Sequence, residues 1–187
     1  ESTLVKITGT DADEAALIFS HPGINAVPDA KDPKQFTVTV AASVPAGAHD
    51  VRVLSKFGVS NPRRFEVSAL AEVDAAPKAA TREESQELTL PCVVRGNAAK
   101  QQVQWFKLPV AKGKELVLDC RAWDLDSRMD PLLVLHDEAG RELARTRRRP
   151  LRWIPTDDKP LFLLLRDFLS NGGPEHFYRL HAGSAQN

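Results

Sequence analysis

The sequence lacks several features that would identify a partner. Basic and acidic side chains balance, with 25 Lys plus Arg against 25 Asp plus Glu, so no net charge draws the chain to nucleic acid or to an anionic membrane. No apolar run approaches the ~20 residues that span a bilayer, and no charged segment followed by an apolar one marks a signal peptide. We therefore expect no nucleic-acid partner and no membrane insertion, and we take the missing leader as no evidence for a cytoplasmic protein.

Catalytic motifs are also missing. The chain has no Gly-x-Ser-x-Gly elbow, no His-Glu-x-x-His helix and no glycine-rich phosphate loop. The histidines are scattered among turns and strand ends, at His21, His49, His136, His176 and His181. We predict no catalytic residue, no metal site and no cofactor; a hydrolase fragment is the less favoured alternative.

Cysteine is scarce as well. Cys92 and Cys120 are too few for a tetrahedral zinc site without histidines at suitable spacing. Each alternates with apolar neighbours, so both side chains are predicted to face one core. Two buried free thiols and one disulfide are both compatible with this pattern.

Alternation with a period of two is the main pattern that the sequence does contain. Phe36, Val38 and Val40 share one strand face, as do Leu116 and Leu118 further along the chain. Turn residues interrupt such segments at short intervals, which is typical of all-β sandwiches. We predict two tandem β-sandwich domains, at 1–70 and 88–187. The intervening residues 71–87 have few large apolar side chains and are interpreted as a linker.

The first domain carries a characteristic order of turn motifs. The segment 7–10 reads Ile-Thr-Gly-Thr, Pro-Ala-Gly at 45–47 precedes a Val-x-Val strand, and 58–62 precedes a final Phe-x-Val strand. This order resembles the immunoglobulin-like IPT/TIG fold over nearly all of residues 3–68. The resemblance implies an immunoglobulin-like sandwich.

The second domain carries a more specific order of motifs. In 126–135, an Asp-Pro pair precedes an apolar run, and in 167–180 an apolar run leads through Gly-Gly-Pro into an alternating aromatic strand. Residues 72–183 resemble the bacterial pre-peptidase C-terminal domain, a jelly-roll-like sandwich appended to secreted enzymes and surface proteins. The resemblance implies a non-catalytic accessory module of a larger exported protein that is secreted, periplasmic or at the cell surface. Its partners would be other domains of the same polypeptide.

Two further expectations follow from that resemblance. An oxidising compartment favours a disulfide between Cys92 and Cys120. Calcium is a ligand of some relatives, but the acidic motifs that often precede the first two strands are replaced here at 76–80 and 102–104. Asp126 and Asp130 remain, and we expect them to cap a turn. A calcium-binding module is therefore a less favoured alternative.

Arginine is concentrated in the segment 141–153. Guanidinium groups beside an aromatic ring suit the sulfate or carboxylate groups of a polyanion, so an acidic polysaccharide, another glycan or a protein at the cell surface is the alternative partner. The predicted ligand-binding residues are Arg145, Arg147, Arg148, Arg149, Arg152 and Trp153. The competing interpretation is a solvated loop whose arginines pair with Asp157, Asp158 or a neighbouring chain.

The tryptophans offer a second surface for a glycan. Trp105, Trp123 and Trp153 would form a stacking platform if their rings converged. Strand tryptophans more often cover the second face of a sheet or a domain junction, and both interpretations are open.

Overall fold

The structure is a computed structural model that describes residues 2–8, 14–77 and 79–184. The chain forms two compact units, Glu1–Ala69 and Leu70–Asn187, and each contains two β-sheets around its own core. The regular structure of the described residues is β-strand apart from a single 3-10 turn, Trp123–Leu125. The predicted all-β sandwich fold is confirmed.

The first unit contains seven strands, β1 (Ser2–Lys6), β2 (Ala16–Phe19), β3 (Ile24–Pro28), β4 (Gln35–Val40), β5 (Gly47–Ser55), β6 (Gly58–Val59) and β7 (Arg63–Val67), among its described residues. One sheet has the order β1-β4-β3. In the other sheet, β5 lies between β2 on one side and β6 and β7 on the other. Phe36 and Val38 of β4 are buried, whereas Thr37 and Thr39 between and after them are exposed. The predicted alternation therefore builds this core. Part of the motif at 7–10 lies outside the described residues.

The second unit is a sandwich of two five-stranded sheets. Its strands are β8 (Ala71–Asp74), β9 (Gln86–Glu87), β10 (Cys92–Asn97), β11 (Gln104–Leu108), β12 (Leu116–Arg121), β13 (Pro131–His136), β14 (Glu142–Arg147), β15 (Leu151–Trp153), β16 (Leu161–Asp167) and β17 (Phe177–Gly183). The strand orders are β15-β12-β17-β10-β8 in one sheet and β14-β13-β16-β11-β9 in the other. Leu116 and Leu118 of one sheet, and Leu163 and Leu165 of the other, are buried between the layers. Period-two burial thus holds in both sheets.

The interpretation of residues 71–87 as a linker is wrong. β8 pairs in parallel with β10, and β9 pairs in parallel with β11. This segment therefore gives each sheet of the second unit an edge strand, and the unit begins at Leu70 rather than at residue 88.

β8 is held largely by charged side chains, which explains why its sequence contains so little apolar character. Val73 is the apolar residue that β8 turns toward the core. Asp74 accepts hydrogen bonds from Arg95 at 3.0 and 3.2 Å, and Glu72 accepts one from Arg179. Ion pairs on the outer face, added to the backbone ladder, hold a strand that burial alone would not have predicted.

The expected disulfide between Cys92 and Cys120 is also wrong, because both cysteines are free. Cys92 lies opposite Ala182 and Cys120 lies opposite Leu180, so β17 runs between them. Two strand spacings separate their Cα atoms by roughly 10 Å. A disulfide requires Cα atoms within about 7 Å. The prediction that both cysteine side chains face the core is correct, but the sequence did not reveal that β17 lies between their two strands.

The two thiols should be unreactive while the protein is folded. Burial raises the pKa of Cys92 and of Cys120, so little of the reactive thiolate forms near neutral pH. Without reductant, we expect Ellman's reagent to label neither thiol in native protein and both in guanidinium chloride, as measured by released thionitrobenzoate. Unfolded protein that releases none would contain the disulfide and would contradict the structure.

Candidate functional site

The arginine-rich segment runs along the edges of both sheets of the second unit. Arg147 is the last residue of β14, residues 148–150 form a bend, and β15 then enters the opposite sheet. The segment therefore distributes its side chains over two layers, and the predicted ligand-binding residues do not form a single patch.

Three of the predicted residues lie away from the bend or already have partners. Arg145 donates to Glu142 through two bonds of 2.7 and 2.6 Å, and both side chains are exposed. Arg152 donates to Glu115 at 3.1 Å on the opposite sheet. Trp153 is half-buried and packs against the core, so only part of its ring is left at the surface. None of these three side chains joins the arginines at the bend.

The predicted partners Asp157 and Asp158 bind backbone groups instead of arginines. Asp157 accepts the N–H of Lys159 at 3.1 Å, and Asp158 accepts the N–H of Lys112 at 2.7 Å. The expected pairing of the arginines with these two carboxylates is wrong, because Asp157 binds within its own turn and Asp158 binds the separate turn at Lys112.

Asp130 holds Arg147 and Arg148 together. Nε of Arg148 donates to Oδ1 of Asp130 at 2.8 Å, and Nη2 of Arg148 donates to Oδ2 at 2.7 Å. Nε of Arg147 lies 3.1 Å from both carboxylate oxygens, and its Nη2 donates to Oδ2 as well. One carboxylate therefore receives two guanidinium groups. Its side chain is only 8% exposed, whereas those of the two arginines are 42% and 41% exposed.

Each of these arginines also stacks on an aromatic ring. The guanidinium carbon of Arg147 lies 3.8 Å from the ring centre of Phe168, and that of Arg148 lies 3.7 Å from the ring of Trp123. Phe168 is 39% exposed, Trp123 is 54% exposed and the adjacent Leu169 is 67% exposed. We call these five residues, Trp123, Arg147, Arg148, Phe168 and Leu169, the arginine–aromatic surface.

A second buried carboxylate fixes the backbone beneath this surface. Asp167, 2% exposed, accepts the N–H groups of Asp130 at 2.8 Å, Leu169 at 3.0 Å and Asn171 at 2.9 Å. The N–H of Phe168 in turn donates to the carbonyl oxygen of Asp130 at 2.7 Å. The turn before β13 and the turn after β16 are thereby joined, which places Phe168 beside Arg147.

The electrostatics of the site follow from this arrangement. Hydrogen bonds from Arg147 lower the pKa of Asp130 to about 2, with Arg148 contributing and burial opposing the shift. The same bonds raise the pKa of Arg147. Asp130 is therefore ionised, and Arg147 is charged, at any pH near neutral.

The prediction that Asp130 caps a turn is wrong, because its side chain binds guanidinium groups and Asp167 accepts the backbone N–H groups instead. Asp126 ends the 3-10 turn with a φ of 64°, and its N–H donates to the carbonyl oxygen of Trp123 at 3.0 Å. Across the described residues, no three His, Cys, Asp or Glu side chains are grouped so as to hold a metal ion.

The tryptophans do not form a platform. Trp105 packs against His136, with ring centres 5.1 Å apart, and Trp123 lies under Arg148. Trp153 packs half-buried against the core, as described above. Their rings therefore serve three separate contacts.

Two histidines that the sequence separates come together in the first unit. The rings of His21 and His49 lie 5.7 Å apart. Nδ1 of His21 accepts the N–H of Gly23 at 3.0 Å, and Nε2 of His49 lies 2.9 Å from the carbonyl oxygen of Pro45. One nitrogen of each ring is engaged with the backbone, which makes this pair part of the packing of its turns. The pairing of β2 with β5 produces the contact, and residue spacing gives no sign of it.

Comparisons with known proteins do not assign a family. No family model matches the chain, and no curated protein matches it. A mitogen from Yersinia pseudotuberculosis aligns with a TM-score of 0.40 at 16% identity, over 51% of this chain and 86% of its own. The secreted serine protease VesC from Vibrio cholerae has a TM-score of 0.36 at 9% identity, over 98% of this chain and 42% of its own. Lac15 from a marine microbial metagenome has a TM-score of 0.28 at 8% identity, over 100% of this chain and 52% of its own.

Structural similarity at this level carries no argument about function. The side chains of the second unit are therefore the basis for any functional assignment.

In the described part of the chain, no helix has the length and apolar character needed to cross a membrane.

Replacing Asp130 tests the buried carboxylate. Asp130→Asn removes the charge that two arginines share, and we expect the free energy of unfolding to fall by about 2–3 kcal/mol. The matched control is Glu142→Gln, which removes an equally bidentate but exposed partner of Arg145 and should lower the free energy of unfolding far less, because solvent screens this pair. Urea unfolding of each variant gives both values.

The same comparison has a defined pH dependence. Because the pKa of Asp130 is lower when the protein is folded, the unfolded chain takes up this proton first as the pH falls. The difference between wild type and Asp130→Asn should be complete above pH ~4 and should shrink as the pH falls toward 2. A difference that stays constant down to pH ~2 would contradict the assigned role of the carboxylate.

Proposed function

We propose that this chain is a non-catalytic docking part of a larger exported bacterial protein. Its second unit would be of the pre-peptidase C-terminal type, preceded by an IPT/TIG-like immunoglobulin-type unit. The observation that supports docking is the arginine–aromatic surface, in which Asp130 fixes two arginines against two exposed aromatic rings.

The state of the arginines favours a protein partner over a polyanion. Asp130 already occupies the Nε and Nη2 atoms of Arg147 and Arg148 and balances part of their charge, which leaves fewer donors for sulfate or carboxylate groups. Each of these two arginines still offers the planar, weakly hydrated face of its guanidinium group, beside exposed apolar side chains. Tryptophan and arginine are among the residues enriched at the energetically important positions of protein interfaces.

Pre-organisation adds to this argument. Side chains that must be immobilised on binding cost about 0.5–1.5 kcal/mol each. Hydrogen bonds and stacking already hold both guanidinium groups in place before any partner arrives. The surface would therefore bind another domain of the same polypeptide without that cost, and the effective concentration within one chain would compensate for a small contact area.

An acidic polysaccharide is the second candidate, and Arg149 is the observation in its favour. Arg149 is exposed, next to Arg148, and makes no ion pair in the described part of the chain. It offers a free cation beside the stacked pair.

A photo-crosslink tests the preferred function in the full-length exported protein. Leu169 is replaced by benzoylphenylalanine, and Ile154, 61% exposed and equally apolar, is the matched control position. Irradiation should join residue 169 to another domain of the same polypeptide, identified by mass spectrometry, and Trp123→Ala should reduce the yield. Equal crosslinking from 154, or none from 169, would contradict docking through the arginine–aromatic surface.

Heparin retention tests the second candidate separately. If docking to protein is the function, we expect the parent chain to elute from immobilised heparin at or below physiological salt, because Asp130 neutralises part of the charge. The charge-neutralised variant Arg149→Gln should elute with the parent. Strong retention that Arg149→Gln abolishes would favour the polysaccharide instead.

A further inference from the structure

The second unit has a partly open pocket at the end of the sandwich where β10 ends and β11 begins. Its volume is about 310 Å³, and the segment that follows β8 forms one side of it. This volume is at the lower end of the range that holds small organic ligands. Much of the wall is apolar, with contributions from Ala75, Pro77, Ala98, Val103, Met129 and Leu165.

Arg166 brings a positive charge to this pocket. Among the described residues that line it, Arg166 is the single charged one. Its side chain is half-buried, and Nη1 donates to the carbonyl oxygens of Asp167 and Phe168 and to Oγ of Ser170, at 3.2–3.3 Å. All three acceptors are neutral, and no carboxylate in the described part of the chain forms an ion pair with this guanidinium group. Its charge therefore lacks a counterion.

Ser170 fixes the guanidinium group at the mouth of the pocket. Its Oγ accepts the bond from Arg166, and its carbonyl oxygen accepts the N–H of Gln101 at 2.9 Å. The residues on either side of this contact, Ala99 and Gln102, line the pocket. The floor is formed elsewhere, by buried side chains such as Met129. Arg166 thus lies where a ligand enters, with the apolar wall beyond it.

The mouth is formed before any ligand arrives. A Cβ atom on Gly172 would lie 2.2 Å from the backbone nitrogen of Lys100 and 2.4 Å from the carbonyl carbon of Ala99, so the turn after β16 packs directly on the loop after β10. The N–H of Gly173 donates to the carbonyl oxygen of Ala98 at 2.9 Å. Binding would therefore not have to order this loop, which favours affinity for a small molecule.

The donors that remain on Arg166 match one class of ligand. Nε and Nη2 make no hydrogen bond within the described part of the chain, and this edge of a guanidinium group fits a carboxylate through two parallel bonds. Other polar side chains of the wall are engaged: Asn97 donates to the carbonyl oxygens of Gly173 and Pro174, and Gln104 donates to that of Ala76 at 2.7 Å. The pocket thus combines one available cation with apolar area.

We propose that this pocket binds a small organic monocarboxylate, with its apolar body against the wall and its carboxylate on Nε and Nη2 of Arg166. A free organic acid and the C-terminal residue of a peptide share this chemistry, and the probes below distinguish them. The proposal does not rest on the arginine–aromatic surface, so either one can fail alone.

The composition of the chain provides a reporter. The sequence has one methionine, Met129, and it lines the pocket. A methyl-¹³C methionine label therefore gives one NMR signal that responds to a ligand in this site.

The probes are cyclohexanecarboxylate and cyclohexanecarboxamide, which share a ring and differ in charge. Both should shift the Met129 signal saturably, and the carboxylate should bind about tenfold more tightly because its hydrogen bonds are charge-assisted. N-acetylleucine presents the same carboxylate on a peptide-like end. Tighter binding of N-acetylleucine than of cyclohexanecarboxylate would identify a peptide C-terminus as the ligand, and weaker binding would identify a free acid.

Replacing Arg166 tests the role of its charge. Arg166→Gln should remove the preference for the carboxylate and leave the affinity for the carboxamide unchanged, whereas Arg166→Lys, which keeps the charge, should retain part of the preference. The matched control is Arg149→Gln, which removes an exposed arginine outside the pocket and should leave the preference as it is. The methyl signal of each unliganded variant shows whether its core is intact.

A further variant blocks the pocket without touching Arg166. Ala80 lines it but is exposed, so Ala80→Trp should abolish binding of all three probes, while Ala42→Trp, at an exposed alanine of the first unit, should not. The proposal is overturned if no probe shifts Met129 saturably, or if the parent chain binds the carboxylate and the carboxamide equally. It is also overturned if Arg149→Gln reduces the preference as much as Arg166→Gln does.

Discussion

Asp130 is a buried carboxylate whose charge is balanced by two arginines that are themselves half exposed. A buried charge is tolerated only when it is paired and hydrogen-bonded, so the carboxylate dictates where both guanidinium groups lie. Through its backbone, the same residue is bonded to Asp167 and Phe168. The end of β14, the turn before β13 and the turn after β16 therefore form one rigid corner of the sandwich.

That corner determines which chemistry the surface can offer. The Asp130 carboxylate receives hydrogen bonds from the edges of the guanidinium groups, and the rings of Phe168 and Trp123 lie against their faces. The charge at the bend is thus lower than its arginine content suggests, while its apolar area is higher. Sequence composition alone suggests a polyanion site, whereas the hydrogen bonds favour a protein contact.

The fold was predictable wherever burial has a period of two, as in Leu116 and Leu118. It was not predictable where a strand is held by its neighbours: β8 buries little more than Val73 and depends on backbone pairing and surface charges. Cys92 and Cys120 share a face, but which strand separates them is a property of sheet order. The pairing of Asp130 with Arg147 and Arg148 was not accessible by counting back along the β13–β14 hairpin, because the register that sets Leu132 opposite Arg147 would set Asp130 opposite Arg149.

The hydrogen-bonding groups of three buried residues of the second unit, Asp130, Asp167 and Tyr178, are satisfied to different degrees. Asp130 and Asp167 each have their oxygens occupied, and the structure around them is closed. The hydroxyl of Tyr178 is equally buried but has no hydrogen-bond partner among the described residues, and a Cβ atom on Gly96 would lie only 2.5 Å from it. A Cβ atom at position 96 would also lie 2.6 Å from Cζ of the same ring, so the ring itself requires glycine there, with or without its hydroxyl. Gly96 and Tyr178 therefore form one packing unit between β10 and β17, and the unsatisfied hydroxyl is the cost of filling the space over Gly96 with a tyrosine ring.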